Sequence, residues 1–126
     1  MHRRRKVGRA YDMALEIARM LPRNADVLDV GCGNGFIAHH LAGILKSRVV
    51  GLDVGHDLKA PIDYLSFDGR NFPVRDGQFD AVLLCYVLHH AQDSSLVLNE
   101  VVRVLKAGGR AIIYEDIPKD WWDRTI

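Results

Sequence analysis

The chain has 126 residues, which suits a single domain over residues 1–126 that buries a core without disulfides or a bound metal. Its 48% hydrophobic and 26% charged residues are typical of a soluble globular protein, and the net charge of +1 points to no class of partner. Apolar runs are too short for a membrane span, no signal peptide pattern is present, and Cys32 and Cys85 match no zinc or redox spacing, which favours a reducing, cytoplasmic setting.

Basic side chains are concentrated at the N-terminus, where they are Arg3, Arg4, Arg5, Lys6 and Arg9. We interpret residues 1–9 as a solvated, flexible arm, because termini are commonly disordered and the net charge of the chain is small. The alternative is an arm that contacts RNA or an anionic substrate. A helix is predicted over about residues 10–21, where apolar side chains recur on one helical face, and Pro22 and Asn24 end it.

Three strands and a helix are predicted next. A strand over about residues 26–30 leads into a glycine-rich turn, and a helix then continues to about residue 45. The second and third strands are predicted over about residues 48–52 and 63–67. Only about ten residues connect these two strands, so we predict either one short helical turn or an irregular loop between them.

The remaining pattern predicts a strand, a helix and a strand. The apolar run over residues 79–85 is the fourth strand, and Asp93 or Ser94 caps the helix that follows. The glycine pair 108–109 is expected to stop this helix. The fifth strand is predicted over residues 110–114.

Strands alternate with helices or loops along the whole chain, and the interior strands are continuous apolar runs. This pattern is typical of an open parallel α/β sheet that is covered on both faces. Ligands of such sheets bind beyond the carboxyl ends of the strands. Residues 29–35, Asp53, Asp68 and residues 85–90 all lie at predicted carboxyl ends, so we expect these four segments to form one ligand site.

The sequence VLDVGCGNG, residues 27–35, predicts a buried strand, a glycine turn and the start of a helix whose free N–H groups face the ligand. Asp53 is placed to accept hydrogen bonds from both hydroxyls of a ribose, as in NAD and S-adenosylmethionine sites. The glycine spacing differs from the G-x-G-x-x-G of dinucleotide folds, and Asp29 beside the turn would repel a pyrophosphate but suit an ammonium group. A purely structural glycine turn is the alternative.

VLDVGCGNG resembles the first motif of class I S-adenosylmethionine-dependent methyltransferases, and the resemblance continues in order through VVGLDVG, FDGRNFPVRDGQFDAVLLCYVLHH and LNEVVRVLKAGGRAIIYED. It covers about residues 25–116 and looks closest to the small-molecule branch related to ubiquinone biosynthesis. The resemblance implies a Rossmann-like open parallel sheet of strand order 3-2-1-4-5. It also implies S-adenosylmethionine as cofactor, S-adenosylhomocysteine as product and methyl transfer to a small-molecule acceptor, with no membrane or nucleic acid partner expected.

The resemblance implies that residues of all four segments bind the cofactor, namely Asp29, Gly31, Cys32, Gly33, Asn34, Gly35, Asp53, Val54, Asp68, Gly69, Cys85 and Tyr86. Asp29 and the glycine turn would hold the methionine part, and Asp53 would hold the ribose. Asp68 would accept from the adenine amino group, and Cys85 and Tyr86 would line the pocket near the sulfonium. The alternative for Asp53 and Asp68 is that they cap the loops after their strands.

Methyl transfer is an in-line displacement at a carbon that a positive sulfur already activates, with the sulfur as the leaving group, so a general base is needed only for some acceptors. The catalytic candidates are His89 and Tyr86, with His89 or its neighbour His90 as a base or donor at the acceptor site. Pairing of these histidines with loop backbone is the alternative. We interpret Cys85 as part of the pocket wall or of the core because nothing marks an activating partner, and we expect no metal.

Two features depart from the family pattern. The segment between the second and third strands is short where the family has a helix, and the two strands that usually follow the fifth are not predicted. We expect Trp121 and Trp122, or a second subunit in a homodimer, to cover the edge of the fifth strand. The alternatives to an enzyme are a non-catalytic S-adenosylmethionine-binding module that acts with a partner and, as a third class, an NAD-dependent oxidoreductase.

Overall fold

A computed structural model describes residues 2–88 and 91–115, with the backbone alone for residues 2–7. The elements of this described part are α1 (His2–Ala18), β1 (Val27–Val30), α2 (Phe36–Leu45), β2 (Val49–Asp53), β3 (Asp63–Ser66), β4 (Phe79–Cys85), α3 (Ser94–Val104) and β5 (Leu105–Tyr114). Neighbouring strands pair in parallel, and their order across the sheet is β3-β2-β1-β4-β5. The predicted Rossmann-like α/β fold of strand order 3-2-1-4-5 is therefore confirmed.

An apolar layer covers each face of the sheet, because the central strands are buried on both sides. All four residues of β1 are buried, and neither Leu28 nor Leu83 has exposed surface. Helices α1 and α2 cover one face, where Ile17 and Leu41 cluster with Leu83. Helix α3 covers the other face, where Val101 clusters with Leu28. This two-sided burial accounts for the continuous apolar runs in the sequence.

Helix α1 begins at His2, well before its predicted start. Arginine and lysine are good helix formers, and the single Gly8 in this stretch costs only about 1 kcal/mol relative to alanine. The backbone of residues 2–9 is therefore helical and continuous with the rest of α1. That residues 1–9 form a flexible arm stays a prediction.

The connection between β2 and β3 is an irregular loop that rests on the glycine turn. The N–H groups of Lys59 and Ala60 donate to the carbonyl oxygen of Asn34 at 3.0 and 2.9 Å. The Leu58 side chain lies against the turn, since a Cβ added at Gly35 would be 2.7 Å from Leu58 Cδ1. The loop, rather than the short helical turn, is the prediction that the structure confirms.

The boundary between α3 and β5 differs from the prediction. Helix α3 has the predicted N-cap at Asp93, but it ends at Val104 and β5 starts at Leu105. Gly108 and Gly109, which were expected to stop the helix, lie within β5 instead. The prediction was wrong because a glycine pair also permits an irregular strand.

The irregularity lies near the start of β5. Leu105 pairs with Phe79 and Arg110 pairs with Ala81, so five steps along β5 match only two along β4. The extra residues bulge out of the ladder, and Gly108 there has a φ of +78°. Glycine takes this conformation at little steric cost, which explains its position in the bulge.

Strand β5 forms one edge of the described sheet and β3 forms the other. Trp121 and Trp122, which we predicted to cover β5, lie outside the described residues. None of the described helices combines the length and the apolar character that crossing a membrane requires.

Candidate functional site

The carboxyl ends of β1, β2 and β4 surround a cavity of about 310 Å³, at the lower end of the range for small-molecule sites. Its lining residues are Val30, Gly31, Asp53, Val54, Phe67, Gly69, Cys85, Tyr86, Val87, Ala91 and Val97. Six residues of the predicted cofactor set are among them: Gly31, Asp53, Val54, Gly69, Cys85 and Tyr86. The structure thus brings three of the four predicted segments to one cavity, together with Gly69, the neighbour of Asp68.

The glycine turn after β1 has a backbone conformation that favours glycine. The φ angles are +71° at Gly31, +55° at Gly33 and +85° at Gly35. The N–H groups of Gly31 and Cys32 donate to the Leu52 carbonyl oxygen at 2.6 and 3.2 Å. These bonds hold the turn against β2, so that bare backbone forms part of the cavity wall.

The Asp53 carboxylate links the end of β2 to the glycine turn. Its Oδ2 accepts a hydrogen bond from the Gly33 N–H at 2.7 Å. Its Oδ1 accepts from the N–H groups of Val54 and Gly55 at 2.7 and 3.4 Å. A carboxylate has about four acceptor sites, so Asp53 keeps the capacity to accept a ligand hydroxyl from the cavity.

Asp29 is a carboxylic acid near the end of β1 and is only 2% exposed. Its side chain accepts no hydrogen bond from the residues that the structure describes. Burial, and after it repulsion from Asp53, raises the pKa of Asp29 to about 7. A cationic group close to this carboxyl would stabilise its ionised form. The surroundings of Asp29 therefore suit a ligand that carries an ammonium group.

Asp68 follows β3 but does not line the cavity. Its Oδ1 accepts hydrogen bonds from the N–H groups of Arg70 and Asn71 at 2.8 and 2.7 Å. These bonds, that of Asn71 first, lower the pKa of the exposed Asp68 carboxyl. The observed contacts of Asp68 are thus those of a loop cap, whereas the neighbouring Gly69 lines the cavity directly.

Cys32 and Cys85 are thiols whose surroundings keep them protonated. Burial is the main cause that raises the pKa of each thiol to about 12, and the Asp29 carboxyl adds to it. A thiol with so high a pKa is a poor nucleophile near neutral pH. Cys85 forms part of the cavity wall, as we interpreted it from the sequence, and no activating partner for it is found among the described residues.

Four residues of the predicted cofactor set lie in the turn but do not line the cavity: Cys32, Gly33, Asn34 and Gly35. Asn34 has contacts that shape the turn, because its Oδ1 accepts from the Phe36 N–H at 3.1 Å where α2 begins. Its backbone carbonyl holds the loop after β2, as described above. These residues support the site from outside the cavity.

Tyr86 follows β4 with a left-handed backbone, at a φ of +59°, which is unusual for a bulky residue. Its N–H donates to the Tyr114 carbonyl at 2.7 Å, and the Tyr114 hydroxyl donates to Glu16 Oε1 at 2.9 Å. Strand β5 and helix α1 therefore support this conformation beside the cavity, where backbone strain commonly accompanies function. His89, the other predicted catalytic residue, and His90 lie outside the described residues.

We did not predict from the sequence that Phe67 and Val97 form an apolar floor of the cavity, or which residues hold this floor in place. Phe67 and Val97 line the cavity, and the Phe67 ring packs edge-on against Phe72 with centroids 5.5 Å apart. The Phe72 N–H donates to Glu100 Oε2 at 2.7 Å, and its carbonyl accepts from Arg103 at 2.9 Å. The sequence contained only a weak signal for this floor, namely apolar residues in a loop and on a helix face.

The described site combines carboxylates, backbone N–H groups and apolar walls. Within residues 2–88 and 91–115, no group of three or more His, Cys, Asp or Glu side chains is arranged to hold a metal ion. The arrangement suits an organic ligand with ammonium and hydroxyl donors and a flat or apolar part.

Known proteins share both the sequence pattern and the fold of this chain. Residues 28–113 match the model of a family described as "Methyltransferase domain". This match covers more than half of the chain, and the chain belongs to that family.

Individual relatives agree with this assignment. The tRNA (carboxymethyluridine(34)-5-O)-methyltransferase ALKBH8 of Macaca fascicularis is 33% identical over 108 residues, which cover 79% of this chain and 16% of that protein. The ubiquinone/menaquinone biosynthesis C-methyltransferase UbiE of Desulfotalea psychrophila is 33% identical over 107 residues, covering 77% of this chain and 44% of that protein. The solved structure of the PH0226 protein from Pyrococcus horikoshii OT3 is 25% identical, with a TM-score of 0.76 over 93% of this chain and 58% of that one. The chain thus spans less than two thirds of each of these proteins.

The predicted resemblance to class I S-adenosylmethionine-dependent methyltransferases of the small-molecule branch is therefore confirmed, and S-adenosylmethionine is the cofactor. The residues present fit this molecule. The buried Asp29 has no described hydrogen-bond donor, which matches an ammonium group, and Asp53 has acceptor capacity for hydroxyls.

Proposed function

We propose that this chain transfers the methyl group of S-adenosylmethionine to a small-molecule acceptor at the mouth of the cavity. The observation that supports this most is that Gly31, Asp53, Gly69 and Tyr86, from four separate segments, line one cavity of about 310 Å³. When bound, the cofactor supplies a methyl group on a positively charged sulfur, and S-adenosylhomocysteine is the product. We also propose a cytoplasmic setting, because both cysteines are free.

The methionine and ribose parts would be held by the ends of β1 and β2. Asp29 would pair with the ammonium group, whose charge stabilises the ionised carboxyl. The turn that starts at Gly31 would approach the same part through bare backbone. Asp53 would accept from the ribose hydroxyls, with Val54 packed against the sugar as part of the cavity lining.

The adenine would be held by the segment after β3. The Gly69 backbone and the side chains of Phe67 and Val97 line that part of the cavity. Asp68 would contact the adenine amino group through Oδ2, whose only contact in the described chain is a 3.3 Å hydrogen bond from Asn71. Its Oδ1 is already occupied by two backbone N–H groups.

The chain's part in methyl transfer is to align the acceptor with the methyl group and to exclude water. Tyr86 lines the cavity, and we propose that its aromatic face interacts with the cationic methyl group. The Cys85 thiol in the cavity wall is protonated, so it adds neither a charge nor a nucleophile that could compete with the acceptor. We keep His89 as the proposed base for acceptors that must lose a proton.

Calorimetry and a turnover assay together test this function. Wild-type protein should bind S-adenosylmethionine and S-adenosylhomocysteine, and it should transfer labelled methyl to at least one member of a panel of quinones, phenols and amines. Binding without transfer on any acceptor would favour the non-catalytic binding module. If neither cofactor form binds to the folded protein, the proposal is wrong, and tight binding of NADH would favour an oxidoreductase.

A nucleic acid acceptor is the second candidate, because charge is segregated along the chain. Residues 1–9 contain five of the 17 basic side chains and none of the 16 acidic ones, and their backbone from residue 2 is helical. The relatives differ in acceptor, since their names refer to tRNA, an alkaloid, a quinone and a sterol. Labelled methyl transfer to bulk tRNA, with loss of transfer at high salt, would favour this candidate.

A further inference from the structure

A second cavity lies at the opposite end of the sheet from the cofactor site. It has a volume of about 430 Å³, and its wall consists of residues 19–22 after α1, Asp80 on β4 and residues 106–110 of β5. We call it the amino-end cavity, because Asp80 lies near the start of β4, whereas Cys85 at the end of β4 lines the cofactor cavity. Five steps along a strand span about 16 Å, so the two cavities are separate sites.

The charges around the amino-end cavity are mostly positive. Arg19, Lys106 and Arg110 line it together with a single carboxylate, Asp80. The Lys106 charge is compensated, because its Nζ lies 3.3 Å from Asp80 Oδ1 and 3.8 Å from Asp26 Oδ2. Neither arginine has a carboxylate partner within the part of the chain that the structure describes. The cavity therefore has two guanidinium groups whose charge is available to a ligand.

Arg110 is held at the cavity by a hydrogen bond to a neutral group. Its Nη1 donates to the Met20 carbonyl oxygen at 3.1 Å, and no other hydrogen bond of its side chain is found among the described residues. The Nε and Nη2 donors remain for a ligand. An arginine fork can donate to two oxygens of one phosphate or carboxylate group. The contact with Met20 therefore positions the guanidinium without neutralising it.

The backbone around the amino-end cavity does not oppose an anion. The carbonyl end of a helix is electronegative, but the carbonyl oxygens of Ile17, Ala18 and Met20 already accept hydrogen bonds at 3.0, 3.2 and 3.1 Å. On the β5 side of the cavity, Gly108 is exposed, and a Cβ added there would have no heavy atom within 4 Å. Bare backbone at this position allows an anion to approach closely.

We propose that the amino-end cavity binds a phosphate group, with Arg19 and Arg110 as its main donors. Guanidinium groups match the oxygens of a phosphate, whose charge compensates for both arginines. A volume of about 430 Å³ is within the range for small-molecule sites. Asp26 and Asp80 beside the cavity would repel the continuous phosphate backbone of a nucleic acid, which favours a compact ligand. The inference goes beyond methyl transfer, since no residue is shared between the linings of the two cavities.

Calorimetry with inorganic phosphate and ribose 5-phosphate tests the proposal. We expect saturable binding to the wild-type protein, and binding about tenfold weaker in Arg19→Gln and in Arg110→Gln, because each variant loses charge-assisted hydrogen bonds. Arg75→Gln is the matched control, since Arg75 is exposed and lies outside the cavity, and it should bind both probes normally. Tighter binding of ribose 5-phosphate would assign the site to a phosphate ester, and equal binding would assign it to the free ion.

Asp80→Asn should change phosphate binding in the opposite direction, so a folding defect cannot produce the expected result. Asp80 Oδ2 accepts from the Asp26 N–H at 2.7 Å, and the amide oxygen of asparagine can keep this hydrogen bond. The substitution removes the negative charge that lies 3.3 Å from Lys106 Nζ. We expect both probes to bind about threefold more tightly to this variant than to the wild type.

Circular dichroism shows that each protein is folded, and binding of S-adenosylmethionine, which should be equal in all variants, reports separately on the cofactor site. The proposal is overturned if the folded wild type shows no saturable binding of either probe up to about 10 mM. It is also overturned if Arg75→Gln weakens binding as much as Arg19→Gln, or if folded Asp80→Asn binds no more tightly than the wild type. Binding of a short RNA that depends on Arg19, without binding of either probe, would assign the cavity to a nucleic acid instead.

Discussion

The carboxylate of Asp53 accepts a 2.7 Å hydrogen bond from the backbone N–H of Gly33, 20 positions earlier in the chain. This bond joins the end of β2 to the turn after β1. The residue proposed to bind the ribose therefore also fixes the turn proposed to hold the methionine part. A change at Asp53 should consequently act on both halves of the cofactor site.

Replacement of Asp53 by alanine removes the acceptor of three backbone N–H groups. Hydrogen bonds to a charged group contribute roughly 1.5–3 kcal/mol each when they are shielded from water. We expect Asp53→Ala to weaken S-adenosylmethionine binding at least about tenfold, which corresponds to about 1.4 kcal/mol. Calorimetry measures this loss. The affinity of Asp53→Asn protein for S-adenosylmethionine should lie between those of the wild type and of Asp53→Ala, because asparagine keeps one acceptor oxygen.

Asp63→Ala is the matched control for Asp53→Ala. Asp63 lies on β3, and its carboxylate pairs with Arg48 at 3.3 Å with both side chains largely exposed. Exposed ion pairs contribute only about 0–1 kcal/mol, so cofactor binding should not change. Equal affinities of folded Asp53→Ala and wild-type protein would contradict the proposed role of Asp53.

The stability of the protein without cofactor should depend on the ionisation of Asp29. Its pKa is about 7 in the folded chain against 3.8 for the free side chain, so the folded state binds more protons between these values. The free energy of unfolding should therefore fall as pH rises from about 4 to about 7, by an amount on the order of 1–4 kcal/mol. Urea unfolding at pH 5 and pH 8 measures the difference. Asp29→Asn should lack this contribution, and an identical slope in the variant would exclude Asp29 as its source.

Cofactor affinity should change with pH in the opposite direction. The ammonium group of S-adenosylmethionine favours ionised Asp29, so binding should be tighter at pH 8 than at pH 6 and should release a proton near pH 6. Calorimetry in two buffers with different ionisation enthalpies measures that release. If Asp29→Asn releases as many protons as the wild type, another group is responsible.

Residues that lie close together in the sequence account for what could be predicted. The interior strands β1, β2 and β4 are local apolar runs, and the parallel topology brings Gly31, Asp53 and Gly69 to one edge once the strand order is known. The glycine turn could be located because its positive φ angles require residues without a Cβ. The resemblance to the family added the strand order, which apolar patterns do not contain.

Long-range contacts explain what the sequence did not reveal. The left-handed φ of Tyr86 depends on a hydrogen bond to Tyr114 in another strand, and no local pattern indicates it. Asp68 matches the family position, yet its Oδ1 caps its own loop, and only the geometry distinguishes the two roles. The start of β5 was missed because the glycine pair 108–109 fits a helix end and a strand bulge equally well.

Gly31→Ala should disrupt the glycine turn. The φ of +71° is unfavourable for alanine, and the added Cβ would collide with the Val87 side chain. We expect the variant to lose about 1–3 kcal/mol of unfolding free energy and to bind S-adenosylmethionine less tightly. Urea unfolding and calorimetry measure the two effects.

Gly43→Ala provides the comparison for Gly31→Ala. Gly43 lies within α2, and a Cβ added there has no heavy atom within 4 Å. Alanine in a helix is favoured over glycine, so this variant should gain about 0.5–1 kcal/mol and bind the cofactor normally. A Gly31→Ala protein as stable as Gly43→Ala would show that the turn tolerates a side chain.

Arg103 should be the main support for the floor of the cavity. Its guanidinium donates to the carbonyl oxygens of Phe72 and Val74 at 2.9 and 3.0 Å and to Glu100 at 2.8 Å. Arg103→Ala removes a charged donor from all three acceptors in a partly buried place, so we expect a loss of about 1–3 kcal/mol. Hydrogen exchange should be faster at the Phe72 N–H, which Glu100 would hold less firmly. Arg48→Ala, which removes an exposed ion pair, should cost less than about 1 kcal/mol, and equal losses in the two variants would contradict the role of Arg103.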